Sequence, residues 1–442
     1  MAGNLGQDLR TARKRTGLTF EVFAKQAGFS AAHLRNVENG TRNATPDVAN
    51  AYDRVCRTGG AFAAELSGYN KAETPWNRQG TLAALTELTA GGGVDRRAFV
   101  VTSGAALAAL LGHWRTALAS PEPIADEHEI AYAMGPGTTA LLDSVDTRLK
   151  WYAHQGDEKG SRRMAALARN ELALVADLIK GGGMSGATSQ RAYSLACEAS
   201  RQAAWNLFDA SRYPAAQRYF NLALRTSATA HDSVSGAYAA SLMAVQHYTA
   251  GEPRNAVSIL ESAADAVSAT ATPRLRAMLA ARRARAISKT GDRRGCIRAL
   301  GEAREWWSQG TRDDDDHRLY WVTEAELEMI AGSSALQLGD HSWALHSFNR
   351  ALDAVKVEAA AHHPGDENDG LMARWHAIYL TRTAEAYVGL RDLDAAVETG
   401  QRAAACLGKV DSARSLKELA GLHTQLEPHR ANPAVREFLS AG

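Results

Sequence analysis

Between residues 204 and 403 one pattern returns five times, and it leaves few folds open. Turn pairs stand at Ser211-Arg212, Gly251-Glu252, Gly291-Asp292, Gly339-Asp340 and Arg391-Asp392, at successive spacings of 40, 40, 48 and 52 residues. Seven residues before each turn is a small residue: Ala204, Ala244, Ala284, Gly332 and Ala384. Five after it are Ala216, Ala256, Cys296, Ala344 and Ala396, and twelve after it Ala223, Ala263, Ala303, Ala351 and Ala403. Nine after it are Phe220, Leu260, Leu300, Phe348 and Gly400. Recurrence at this period is the mark of a repeated helical hairpin. Small residues let the two helices of a hairpin cross closely, and large apolar ones lock neighbouring hairpins together. One such hairpin cannot bury its own apolar face, so the units must stack, which curves them into a superhelix with a concave inner surface. An earlier pair, 138–155 and 161–179, turns at Gly156-Asp157 and reads as a degenerate first unit. Residues 411–426 and 433–440 read as the terminal cap that a stack requires.

Small, then large, then small at these offsets resembles the tetratricopeptide repeat over about residues 197–408. The spacings exceed that family's 34-residue period, so longer helices or loops are expected. Gly400 departs from the pattern, because a large residue is usual there. In such arrays the first helix of each pair lines the concave face. The resemblance therefore places Arg201, Trp205, Phe208, Tyr238, Ser241 and Tyr248 on that face, followed by Arg285, Met329, Ser333, Thr381 and Glu385. Of these, Arg201, Trp205, Tyr238, Tyr248 and Arg285 are the candidate ligand residues, because arginines among aromatics suit a peptide or a carboxylate-bearing small molecule.

The first sixty residues are a different object. They hold nine Lys and Arg against five Asp and Glu, a balance of +4, whereas the rest of the chain holds 41 against 44, a balance of −3. A basic end on a near-neutral body is the asymmetry expected where only that end meets nucleic acid. Leu5, Leu9 and Ala12 share one face of a helix ending near Gly17. Thr19 caps a second helix carrying Val22, Phe23 and Ala27, and Gly28 turns the chain. Ser30 caps a third helix anchored by Leu34 and Val37 and stopped at Gly40, and Thr45-Pro46 opens a fourth through Cys56. Gly17-Leu18-Thr19 through Ala24, Ala27-Gly28-Phe29-Ser30, Leu34 and Val37-Glu38-Asn39-Gly40 resemble the lambda-repressor/Cro-type helix-turn-helix family over about residues 5–58.

That resemblance implies a buried pair between Arg13 and Glu38, and a recognition helix over residues 30–39 that enters the major groove. Ala31, Ala32 and Asn36 are then expected at base edges, and His33 and Arg35 at bases or phosphates. Thr41, Arg42 and Asn43 are expected on the DNA backbone, with Lys14 and Arg15 as weaker candidates. Phe20 stands where the family usually has a glutamine that touches phosphate.

Residues 59–93 and 120–137 read as linker, with an apolar helix at 98–111. The domains are expected at 1–65, 66–137 and 138–442. Asp95-Arg96-Arg97 before that apolar run looks like an export signal, but it lies too far into the chain, and the run is too short to span a membrane. Cys56, Cys197, Cys296 and Cys406 form no CxxC pair, so reduced thiols are expected and neither zinc nor disulfides. Asp313 to Asp316 with His317, and His362-His363 with Asp366, Glu367 and Asp369, read as solvated polar loops. No phosphate-binding, zinc-protease or nucleophile-elbow motif is present.

The fold class expected is therefore all-α, a small helix-turn-helix domain followed by a tetratricopeptide-like superhelix. A head and array of this kind resemble the bacterial regulators controlled by signalling peptides and the head-plus-array regulators of actinobacteria. The function this implies is a cytoplasmic transcription regulator, not an enzyme, that uses no cofactor or metal. Its expected partners are a double-stranded DNA operator, a peptide or small-molecule effector and a second copy of itself, and not a membrane. The competing reading is a DNA-tethered docking scaffold without an effector.

Overall fold

A computed structural model describes residues 5–39, 41–42, 44–56, 58, 62–63, 74–90, 104–119, 136–155, 161–184, 186–361, 371–407 and 413–441. Among them every regular element is helical. Four short helices form the head: α1 (Leu5–Arg15), α2 (Phe20–Ala27), α3 (Ala31–Glu38) and α4 (Pro46–Cys56). Their core is Leu9, Phe23, Leu34, Val37, Val48 and Tyr52. Gly6 lets α1 lie hard against the end of α3, since a Cβ there would come within 2.8 Å of the Val37 carbonyl oxygen.

Two helices follow, α5 (Arg78–Thr89) and α6 (Gly104–Ala119). The apolar helix expected at 98–111 thus runs further, to Ala119, and its expected first residues lie outside the described ones. Both helices pack against the body. Trp114 of α6 is fully buried, and its indole N–H donates to Ser227 Oγ at 3.1 Å. Gly236 leaves the room for it, because a Cβ there would meet the Trp114 ring at 2.8 Å. No helix of the described residues is long and apolar enough to cross a membrane.

The body is a run of antiparallel helix pairs. They are α7 (Pro136–Gln155) with α8 (Ser161–Gly181), α9 (Gly186–Asp209) with α10 (Tyr213–Thr229), and α11 (Ser233–Thr249) with α12 (Pro253–Ala266). Then come α13 (Pro273–Ser288) with α14 (Arg293–Trp307), α15 (Glu324–Gln337) with α16 (His341–Ala361), and α17 (Leu371–Leu390) with α18 (Leu393–Leu407). Helices α19 (Ala413–Leu426) and α20 (Pro433–Ala441) close the stack.

The five aligned turns share one backbone conformation. Ser211, Gly251, Gly291, Gly339 and Arg391 are all left-handed, with φ of 59°, 92°, 83°, 75° and 63°. Three are glycine, where this costs least. Ser211 and Arg391 bear about 1–2 kcal/mol each, which the packing on either side must offset. The next residue starts the second helix. Asp292, Asp340 and Asp392 accept the amide N–H three residues on, at 2.8, 3.0 and 3.2 Å. Arg212 and Glu252 make no such bond, and there a proline in the first turn of the helix supplies the start instead.

The small residues lie at the crossings as the repeat requires. Gly332 is the tightest, since a Cβ would come within 2.5 Å of the Phe348 ring. Gly400, the departure from the pattern, is filled from elsewhere. Phe438 of α20 and Leu422 of α19 would lie 3.0 and 3.1 Å from a Cβ at that position. The terminal helices thus supply the large side chain that the fifth repeat lacks. Burying a phenylalanine this way stabilises by roughly 1.5–3 kcal/mol.

Candidate functional site

The head is organised around one carboxylate. Glu38 is 1% exposed and takes a two-pronged pair from Arg13, Nε to Oε1 at 2.7 Å and Nη2 to Oε2 at 2.9 Å. The Tyr52 hydroxyl donates to the same Oε1 at 2.7 Å. Burial and Glu38 push the Tyr52 phenol upward, and Glu38 also raises the Arg13 guanidinium, so the phenol stays neutral and the guanidinium charged. This ties α1, the end of α3 and α4 together. Tyr52 in this role was not visible in the sequence, because its partner lies 14 residues away on another helix.

With Leu34, Val37 and Glu38 turned inward, the other face of α3 is open: Ala32, Arg35 and Asn36 are exposed and Ala31 half-buried. Ser30 caps the helix by accepting from the His33 amide at 3.2 Å. The turn before it is set by Gly28, with φ 80°. Thr41 and Arg42 are exposed, and both fold back on Asn36, whose carbonyl accepts from the Thr41 hydroxyl at 2.9 Å and the Arg42 amide at 3.1 Å. His33 is held rather than free. Its ring stacks on Phe29 at 5.4 Å, and Nδ1 lies 3.2 Å from the Arg42 guanidinium. Asn43, and Gly40 as the helix stop, lie outside the described residues.

Phe20 has a distinct job here. The guanidinium of Arg13 lies 4.2 Å and that of Arg35 5.0 Å from its ring centre, so the ring holds two cations at the edge of the exposed face. Where the resemblance implies a phosphate-touching amide, this chain has a ring with two arginines against it. A basic face with an asparagine at its centre and backbone N–H groups at a helix start is the chemistry of duplex DNA recognition.

Residues 4–66 match the family model for a helix-turn-helix domain. A helix-turn-helix domain points to DNA binding by this part of the chain. A search of curated proteins finds no match for the chain.

The five groove residues predicted from the sequence fall into two sets. Arg201 and Tyr238 are closed off by the chain itself. Asp313 to Asp316 with His317 were expected to be a solvated polar loop; Asp313, Asp314 and His317 are exposed and Asp315 and Asp316 half-buried, while just beyond them Leu319 and Val322 are fully buried. Trp321 donates to the Tyr238 hydroxyl at 2.9 Å, and Arg274 holds the carbonyls of Tyr320 and Val322 at 3.2 and 3.1 Å. Asp316 pairs with Arg318, which reaches Glu198 at 3.5 Å. Glu198 also receives Arg201, at 2.5 and 2.8 Å, and Gln202, at 2.7 Å. Burial alone would raise the Glu198 carboxyl, but Arg201 and Arg318 hold it at about 2. Arg201 lies 4.7 Å from the Tyr238 ring centre, so every group in this set has a partner.

Trp205, Tyr248 and Arg285 instead line an open cleft, together with Arg282, Arg382 and Arg414. These come from α9, α11, α13, α17 and α19, the first helices of four pairs and the terminal cap. The array curls far enough for its last part to meet its first: Arg414 Nε lies 3.3 Å from Asp209 Oδ1, and the guanidinium lies 5.3 Å from the Trp205 ring centre. Arg382 pairs with Glu418 at 3.3 Å. Burial lifts the Glu326 carboxyl to about 7 against the pull of Arg282, Arg382 and Arg414, and the Tyr379 hydroxyl donates to it. Arg282, Arg382 and Arg414 were missed in the sequence. The carboxylates that pair with Arg382 and Arg414 lie on other helices of the array, where no spacing rule reaches. Among the described residues no group of three or more His, Cys, Asp or Glu is placed to hold a metal.

Proposed function

We propose that this chain is a sequence-specific transcription regulator that binds a double-stranded DNA operator through α3, and whose helical array senses a small effector and pairs two copies. One observation carries the DNA half of the reading: α3 is locked from behind by Glu38 and its three-way bonding while Ala32, Arg35 and Asn36 face outward. Asn36 suits adenine, the alanine methyls suit thymine, and Arg42 and Thr41 suit phosphate. Asn43 belongs to this set by the same resemblance. The repeat is read as tetratricopeptide-like in kind, because its first helices line the concave cleft. One head alone makes few base contacts, so operator-level affinity requires two heads on half-sites about one helical turn apart. Light scattering of the intact protein, with gel-shift on genomic fragments recovered from the host, tests this. A dimer that shifts a defined fragment supports it, and a monomer that binds all fragments alike overturns it.

A further inference from the structure

We infer that the cleft between α9, α13, α17 and α19 is a binding site for a small organic oxyanion, a carboxylate or phosphate monoester carrying a flat apolar body. The inference rests on the reading of the array as the sensor, and gives that sensor a ligand class.

The cleft is lined by four guanidinium groups and two carboxylates. Two of the guanidiniums are accounted for: Arg382 by Glu418 and Arg414 by Asp209. The other two are not. Arg282 is 5% exposed and Arg285 8% exposed, yet neither has a carboxylate within ion-pair distance among the described residues. Arg282 donates to Ser241 Oγ at 3.3 Å, and Arg285 to Ser288 Oγ at 3.2 Å. Each guanidinium carries five N–H donors, of which these bonds use one apiece, and Arg282 also lies against the Trp321 ring, 4.7 Å from its centre. The other cleft carboxylate, Glu326, has its pKa lifted by burial to about 7, so near neutral pH it is only partly ionised and offsets the two cations only in part.

Burying cations without counter-charge is costly, and proteins do it where a ligand supplies the charge. Burial and the neighbouring Arg382 bring Arg285 down to about 10, and burial with Arg285 and Arg382 brings Lys289 down to about 8, in keeping with an excess of positive charge here. The rest of the lining fits a flat apolar body: Trp205, Tyr248, Met329, Ile330 and Ile378. Guanidinium pairs bind oxyanions in two-pronged fashion, which suits a carboxylate or a phosphate equally. The site also sits where the first and last repeats touch through Arg414, so its occupant bridges both ends of the curl.

The test uses the full-length chain as wild type, Arg285→Met and Arg201→Met, with benzoate, phenyl phosphate and benzyl alcohol as probes at constant ionic strength. Tryptophan fluorescence titration and melting temperature are the readouts. For the wild type, a saturable response to at least one anion and none to the alcohol is expected, and the stronger anion identifies the head group. Arg285→Met should weaken that response at least ten-fold while melting at or above the wild-type temperature, because it removes an uncompensated buried charge. Arg201→Met should melt lower, because it strands Glu198, and keep the response. No anion response, an equal response to the alcohol, a response surviving in Arg285→Met, or an Arg285→Met chain melting well below wild type would each overturn the inference. Gel-shift on the recovered DNA is run alongside. Intact DNA binding without anion response sinks this inference alone, and anion binding by a chain that selects no DNA sinks the regulator reading alone.

Discussion

Two sets of arginine meet opposite fates in this molecule. In the head, Arg13 is paired two-pronged with Glu38, and Tyr52 completes the carboxylate's bonding. The same triad recurs at the start of the body, where Arg148 pairs with Glu171 at 2.7 and 2.8 Å and Tyr152 donates at 3.0 Å. In the cleft, Arg285 has a serine hydroxyl and Arg282 a serine hydroxyl and the face of the Trp321 ring, and neither has a carboxylate within ion-pair distance among the described residues. A fully bonded arginine fixes how helices meet, so the chemistry it leaves for function lies on the opposite face, as on α3. An arginine buried without counter-charge has no structural return that a methionine would not match, which marks it as held ready for something absent.

The largest test of the comparison is Glu38→Ala. It strands Arg13 and the Tyr52 hydroxyl together, so the head should lose about 3–5 kcal/mol. Hydrogen exchange should show fast exchange across α1 to α4 and unchanged protection in the array. If the head kept its protection, the pair would not be what holds it.

Arg42→Ala comes next. The Arg42 side chain is exposed and, among the described residues, bonds only to His33, so the fold should be unaffected and binding to every DNA sequence weakened alike. The slope of log affinity on log salt should flatten by roughly one unit. An unchanged slope would remove Arg42 from the interface.

The smallest effect sharpens the cleft side. Glu326 has its folded pKa raised from 4.5 to about 7. The folded chain therefore holds a proton that the unfolded chain releases at lower pH, and stability falls as pH rises through that window. Glu326→Gln keeps an acceptor for Tyr379 and removes the titration. The melting temperature of the variant relative to wild type should climb between about pH 4.5 and 7 and level off above that. A constant difference across this range would mean that Glu326 is ionised throughout.

The repeat was legible in the sequence because its geometry is local. A left-handed turn residue and a small residue seven positions earlier are both demanded by a hairpin, and both are written at fixed offsets. The caps Thr19 and Ser30 were legible for the same reason, as each bonds an amide three residues on. The inserted stretch 317–322 was not read, although Leu319, Trp321 and Val322 gave a signal; the four acids before it pointed to solvent. The ring around Arg414 had no signal at all, since Asp209 and Trp205 lie some two hundred residues earlier and meet it only through the curvature of the whole stack. Phe20 shows the reverse case. A departure from the family pattern was visible, but its purpose, holding Arg13 and Arg35, needed coordinates.

The most direct test of the account is selection of bound duplexes from a random pool by the intact protein, as wild type and as Asn36→Ala. Asn36 is exposed at the centre of α3, and its carbonyl organises the Thr41 and Arg42 turn while its amide is left for a base. The wild type should enrich one sequence with two related half-sites about a helical turn apart. Asn36→Ala should cost about 1–3 kcal/mol on that sequence and relax the preference at one base pair of each half-site, leaving the others in place. A pool in which no sequence is enriched, or an identical enriched sequence from both proteins, would contradict the account.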